Sequence, residues 1–127
     1  MPPTAIILID HGSRQIDARE ALDEVAELAA GRLGLPVGVA HLSIARPTLN
    51  EAIDRAVAAG SRRIIVCPYL LAVGTHTRRD IPDRVAAAAS RHPNVTIQVA
   101  PPLGPDVLLA ELVARRVQPL LRSAEGV

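Results

Sequence analysis

Phenylalanine and tryptophan are missing from the 127 residues, and Tyr69 is the single aromatic side chain. A core without rings must be built from Ile, Val, Leu and Ala, which favours close packing of helices on a sheet. The same lack removes the stacking platforms on which single-stranded nucleic acids are held. Lysine is absent too: all 14 basic residues are arginine, set against 13 acidic ones for a net charge of +1. So slight a balance excludes duplex nucleic acid as a bulk electrostatic partner. The planar fork of arginine suits carboxylates and phosphates, although a compositional bias of the genome explains the skew more simply.

Cys67 is the one cysteine, so no disulfide closes within the chain. Lying in the apolar run Ile64–Leu71, it reads as a small buried core residue. No apolar stretch approaches the roughly 20 residues needed to span a bilayer. The opening MPPTAIILID lacks the basic region and cleavage pattern of a secretory signal and reads as a first strand. A cytoplasmic protein without a membrane partner is expected.

What is present is a regular alternation of strands and helices. Thr4–Asp10 is a continuous apolar run, as expected of a strand covered on both faces. Ala18–Leu33 reads as a helix with Ala21, Leu22, Val25, Leu28, Ala29 and Leu33 on one face, ended by Gly34 and Pro36. Val37–Ser43 forms a second strand, Pro47–Ala59 a helix opened by its proline, and Arg63–Leu71 a third strand. A loop over Ala72–Arg79 leads to a helix capped by Asp80, with Pro82 in its first turn, running to His92. Val95–Ala100 is the fourth strand, and Pro105–Leu121 the last helix, irregular after Gln118 because of Pro119. The pattern is (βα)4 in one domain over residues 1–122, with 123–127 a frayed tail. By analogy with flavodoxin-like sheets, the strand order is 2-1-3-4, with helices on both faces.

Ligands of such α/β sheets bind outside the carboxyl ends of the strands, where the strand order reverses. The first strand runs there into His11-Gly12-Ser13-Arg14, and the third into Gly74-Thr75-His76. Gly12 and Ser13 keep the turn small, and Arg14 can reach an anion. Gly74 permits close approach of a ligand, and His76 is placed at the loop apex. Two imidazoles converging on one crevice suggest a divalent-metal site, although His11 alone serves equally well as a structural hydrogen-bonding residue. Asp80 reads as a structural cap, while Arg78 and Arg79 are either solvated or carboxylate clamps.

Together, His11-Gly12-Ser13-Arg14, the run Gly74-x-His76-x-x-x-Asp80-Ile81-Pro82 and Pro47 ahead of the second helix resemble the class II chelatases of the CbiX/SirB type. These are the sirohydrochlorin ferro- and cobaltochelatases and their short relatives, which also serve nickel insertion. The resemblance runs through essentially the whole chain. It implies a flavodoxin-like half-domain that pairs as a homodimer around a cleft. It also implies His11 and His76 as metal ligands and pyrrole proton acceptors, and a metal-free tetrapyrrole bearing carboxylates as substrate. The metal, Co²⁺, Ni²⁺ or Fe²⁺, is itself a substrate, and no organic cofactor is expected. Ser13, Arg14, Gly74, Arg78 and Arg79 are placed to bind the macrocycle, with Leu70, Leu71, Val73 and the Pro101–Pro105 segment against its face.

One position departs from the pattern. The family's second strand commonly ends with an acid that can join the metal, and Ser43 stands there in His41-Leu42-Ser43-Ile44-Ala45-Arg46-Pro47. His41 shares a sheet face with Ser43, which makes it a candidate third ligand or a core imidazole. His92, beside Pro93, reads as a surface residue. The substitution leaves two other readings open: a metal-binding or delivery protein that inserts nothing, and an enzyme of different chemistry on the same scaffold.

Overall fold

The computed structural model describes residues 2–123. Four strands alternate with four helices: β1 (Thr4–Asp10), α1 (Ile16–Leu33), β2 (Val37–His41), α2 (Leu49–Ala58), β3 (Arg63–Pro68), α3 (Thr75–Arg91), β4 (Thr96–Val99) and α4 (Val107–Arg122). All strand pairs are parallel, in the order β2-β1-β3-β4. The fold class and strand order expected from the sequence are therefore those of the molecule. Every strand points its carboxyl end to the same edge, and β1 is flanked there by both β2 and β3.

The six residues Thr4–Ile9 are all buried, because β1 is covered on both faces. Ile7 and Ile9 pack with Ala40, Leu49, Ile53, Ile64, Val66, Ile81 and Ala88 on the side of α2 and α3. Ile6 and Leu8 pack with Leu22 and Ala26 of α1 on the other. The core is aliphatic, and each fully buried Ile or Leu contributes about 1.5–3 kcal/mol relative to exposure. The face expected for α1 is only partly right. Leu22 and Ala26 are buried, whereas Leu28 and Leu33 project outward at 67 % and 55 % exposure.

Several boundaries differ from expectation for physical reasons. Helix α2 is not opened by Pro47 but capped by Thr48, whose hydroxyl accepts from the Glu51 N–H while Glu51 accepts from the Thr48 N–H. This reciprocal capping box lies in the sequence as Thr-x-x-Glu. Pro47 instead turns its carbonyl to the His41 N–H at 3.0 Å, drawing the 42–47 loop against β2. Helix α3 starts at Thr75 with Gly74 as its cap, so Asp80 is not a cap; it pairs with Arg84 one turn on. Pro82 lies inside α3, and Pro119 is likewise accommodated within α4, which runs on to Arg122. Strands β2 and β3 end at His41 and Pro68, short of Ser43 and Leu71. Residues 124–127, most of the expected tail, lie outside the described residues.

The Pro101–Pro105 connection folds back on the end of β3. The Gly104 N–H donates to the Leu70 carbonyl at 3.2 Å, and a Cβ at Gly104 would lie 2.2 Å from the Leu71 carbonyl oxygen. Only glycine permits that approach. Helix α4 then leaves the body: none of its residues is buried, and Val107, Leu108, Val113, Leu120 and Leu121 are all exposed.

At the α2 cap, hydrogen bonds from Arg46 and the Thr48 backbone, and the nearby Arg46 charge, pull the Glu51 carboxyl down from 4.5 to about 2. Its contribution to stability is therefore complete above about pH 4.5 and is lost as the pH falls towards about 2. Urea midpoints measured through that window should fall for the wild type and fall less for Glu51→Gln. At neutral pH, Thr48→Ala should cost about 1 kcal/mol in the same measurement.

Candidate metal centre

His11 follows the last residue of β1 and is exposed at the carboxyl edge of the sheet. The turn that carries it is held from below. Asp10 Oδ1 accepts from the Gly12 N–H at 2.9 Å and pairs with His41 Nδ1 at 2.6 Å. Asp10 and His41 are register partners across β1 and β2. His41 is 2 % exposed, the most enclosed polar side chain among the described residues. Ser13 Oγ accepts from the Gln15 N–H at 3.0 Å, a turn that leads into α1. Arg14 is exposed, with no ion-pair partner among the described residues.

Beyond the two strands the backbones stay zipped. The Leu42 N–H donates to the Asp10 carbonyl at 2.9 Å, and the Ser43 N–H to the His11 carbonyl at 3.1 Å. Ser43 Oγ adds a second donor to that His11 carbonyl at 3.2 Å. The chain then turns sharply, with the Ala45 N–H bonded to the Ser43 carbonyl at 2.8 Å around Ile44, whose φ is 73°. This is the strained form of the γ-turn, and a β-branched residue rarely accepts it. It aims the Ser43 carbonyl oxygen at Gly12, where a Cβ would lie only 1.9 Å away. Gly12 itself has φ 97°, so both its conformation and its surroundings require glycine.

His76 is exposed in the first turn of α3 and not at a loop apex. Gly74 caps that helix without a side chain to accept from its first N–H groups. The positive end of α3 therefore faces the strand-end edge and favours an anion there. Arg78 and Arg79 are exposed; Arg78 reaches back to the Val73 carbonyl at 3.5 Å, and Arg79 has no ion-pair partner among the described residues. Beside them lies a largely apolar groove of about 540 Å³ lined by Val73, Thr77, Arg78, Pro82, Val99 and Pro102.

The remaining candidates divide clearly. Cys67 is half-buried rather than enclosed, and burial pushes its thiol up, which leaves no reactive thiolate. His92 is not a free surface residue: it ends α3, and its Nε2 lies 2.8 Å from Asp54 Oδ1 on α2. That contact and Arg91 lower the Asp54 carboxyl. No three His, Cys, Asp or Glu side chains among the described residues are gathered as a metal-ligand set, so His11, His41 and His76 do not form a three-imidazole site within one chain. Asp10, which joins the His11 turn to His41, is the residue at this edge that the sequence pattern did not single out. Its signal was an acid closing an otherwise apolar strand at the carboxyl edge.

A family profile described as CbiX matches residues 5–120. The chain is 32 % identical to the sirohydrochlorin cobaltochelatase of Methanothermobacter thermautotrophicus, covering 92 % of each. It is 35 % identical to the chloroplastic sirohydrochlorin ferrochelatase of Arabidopsis thaliana over 95 % of this chain and 54 % of that protein. The chain thus spans about half the length of the plant relative and nearly all of the methanogen one. Among solved structures it is similar to a CbiX protein from Marinobacter aquaeolei VT8, with TM-score 0.83, 30 % identity and coverage of 97 % and 98 % of the two chains. SirB from Bacillus subtilis subspecies spizizenii in complex with cobalt gives TM-score 0.82 and 31 % identity over 91 % of this chain and 50 % of that one. With the sheet order and a match along nearly its full length in agreement, the chain belongs to the CbiX family, the class II chelatases of the CbiX/SirB type.

Proposed function

We propose that residues 1–122 act as a chelatase domain that inserts Co²⁺, Ni²⁺ or Fe²⁺ into a sirohydrochlorin-type tetrapyrrole. One observation carries this reading: His11 and His76 are both exposed at the same sheet edge, on elements that follow the paired strands β1 and β3. Neutral imidazoles suit these borderline metals, and ligation by only two of them leaves the ion free to move to a stronger macrocyclic donor set. Insertion releases two pyrrole protons, and a histidine beside the metal is suited to accept them. The chemistry calls for neither a nucleophile nor a redox group, in keeping with a half-buried Cys67 whose thiol burial pushes up.

Arg14, Arg78 and Arg79 are exposed along this edge and bind the substrate carboxylates, with Ser13, Gly74 and the amino end of α3 completing the anionic side. The apolar groove beside Val73 and Pro102 takes part of the ring face. Sirohydrochlorin mixed with each metal should change its absorption spectrum faster with the protein than without it. His11→Ala and His76→Ala should each lower that rate by about 100-fold. A wild-type rate equal to the spontaneous one for all three metals would remove the chelatase reading in favour of metal binding alone or another reaction.

Ser43 supplies no charge to the ion. Ser43→Glu should bind Co²⁺ without tetrapyrrole about tenfold more tightly than Ser43→Ala, which shares its loss of the hydroxyl, for one added carboxylate; binding no tighter than Ser43→Ala would contradict the placement of residue 43 beside the metal.

A second copy of the chain completes the cleft in this reading. Helix α4 buries none of its own residues, and the plant and Bacillus relatives are about twice as long. Sedimentation at micromolar concentration should give a dimer. Joint Leu112→Asp and Val113→Asp substitution, on a helix that contributes nothing to its own core, should give a folded monomer.

A further inference from the structure

The buried His41 is held to Asp10 at the base of the His11 turn. We propose that Asp10, His41 and Ser43 form a clasp that fixes how His11 presents its ring, and that they are positioning residues for metal delivery. The metal-delivery part rests on the chelatase reading; the clasp itself does not.

Several bonds converge on this turn. A single oxygen, Asp10 Oδ1, takes both the Gly12 N–H and His41 Nδ1. The same oxygen thus holds both the His11 turn and the ring of His41 by its Nδ1. The His11 carbonyl takes both donors of Ser43, N–H and Oγ–H. Residues 10 and 11 are therefore tied to residues 41–43, and Gly12 is tied in turn to Asp10. The left-handed γ-turn at Ile44 supports the arrangement by pressing the Ser43 carbonyl against Gly12, and strain of this kind persists where surrounding structure over-determines it. Ser43, which lacks the charge of an acid, acts here through hydrogen bonds to the backbone of the ligand.

The test uses the full chain as His41→Leu, His41→Asn and Ser43→Ala. Asparagine places a side-chain N–H close to where Nδ1 stands, whereas leucine fills the space without a donor. In the metal-free protein, His41→Leu should speed hydrogen exchange of the Gly12 amide by about tenfold or more. It should weaken binding of Co²⁺ alone by about 10- to 100-fold. During insertion, kcat should fall while KM for sirohydrochlorin stays within about twofold, and His41→Asn should recover to within about threefold of wild type. Wild-type Gly12 exchange and Co²⁺ affinity in folded His41→Leu would overturn the proposal, as would equal impairment of the Leu and Asn variants. If His41→Leu does not fold, Ser43→Ala decides. Loss of its hydroxyl bond should weaken Co²⁺ binding about threefold, and no change would overturn the clasp. A wild-type protein that binds no Co²⁺ would sink the chelatase reading, and the Gly12 exchange rates would still judge the clasp.

Discussion

Asp10 is the only acidic residue in a strand whose other six members are buried, and its carboxylate is used before any ligand arrives. An acid at such a place must be solvated or compensated by donors. The protein does the second, drawing the Gly12 N–H and the His41 ring onto one oxygen. From that arrangement follow the small turn, the glycine at residue 12, the close passage of Ser43 and the outward direction of the chain at His11. The centre of the sheet and the rim of the cleft are thus one mechanical unit. Histidine 76 is mounted differently, on the first turn of a helix whose cap is a bare glycine.

The aliphatic core and this polar rim divide the work cleanly. Isoleucine, valine, leucine and alanine fill both faces of the sheet without introducing a polar atom that needs a partner. The polar exceptions among the well-buried residues are few: Thr4, His41 and Ser61. Two of them lie at the amino end of the sheet, where Thr4 bonds back to the Pro2 carbonyl. Only His41 lies at the carboxyl edge. Hydrogen bonds gather at this edge around Asp10, His41 and Ser43, while Arg14, Arg78 and Arg79 are exposed.

Much of this was legible in the sequence. The unbroken apolar run of β1, the four strand–helix repeats and the histidines after the first and third strands give the fold class, and the edge at which both histidines stand, without coordinates. What was not legible depended on register or on caps without side chains. Nothing in the order of residues says that Asp10 stands opposite His41, because register is a long-range property. The start of α3 was hidden because Gly74 carries no capping group, while Asp80 and Pro82 imitate a helix start a turn and a half later. At α2 the signal was present as Thr48-x-x-Glu51, but the neighbouring proline is the louder mark. The exposure of Leu28 and Leu33 shows the limit of periodicity: a face can be apolar in sequence and still find nothing of its own chain to cover it.

The solitary aromatic residue has a consequence for how the protein is observed. Tyr69 stands just past the end of β3, its N–H bonded to the Ile9 carbonyl and its side chain half-buried against the α1 side of the sheet. With no tryptophan anywhere, the entire near-ultraviolet emission of the folded chain arises from one ring at the carboxyl edge of the sheet. A coloured macrocycle settling at that edge would dim a single, known phenol, so the molecule carries its own optical gauge of occupancy.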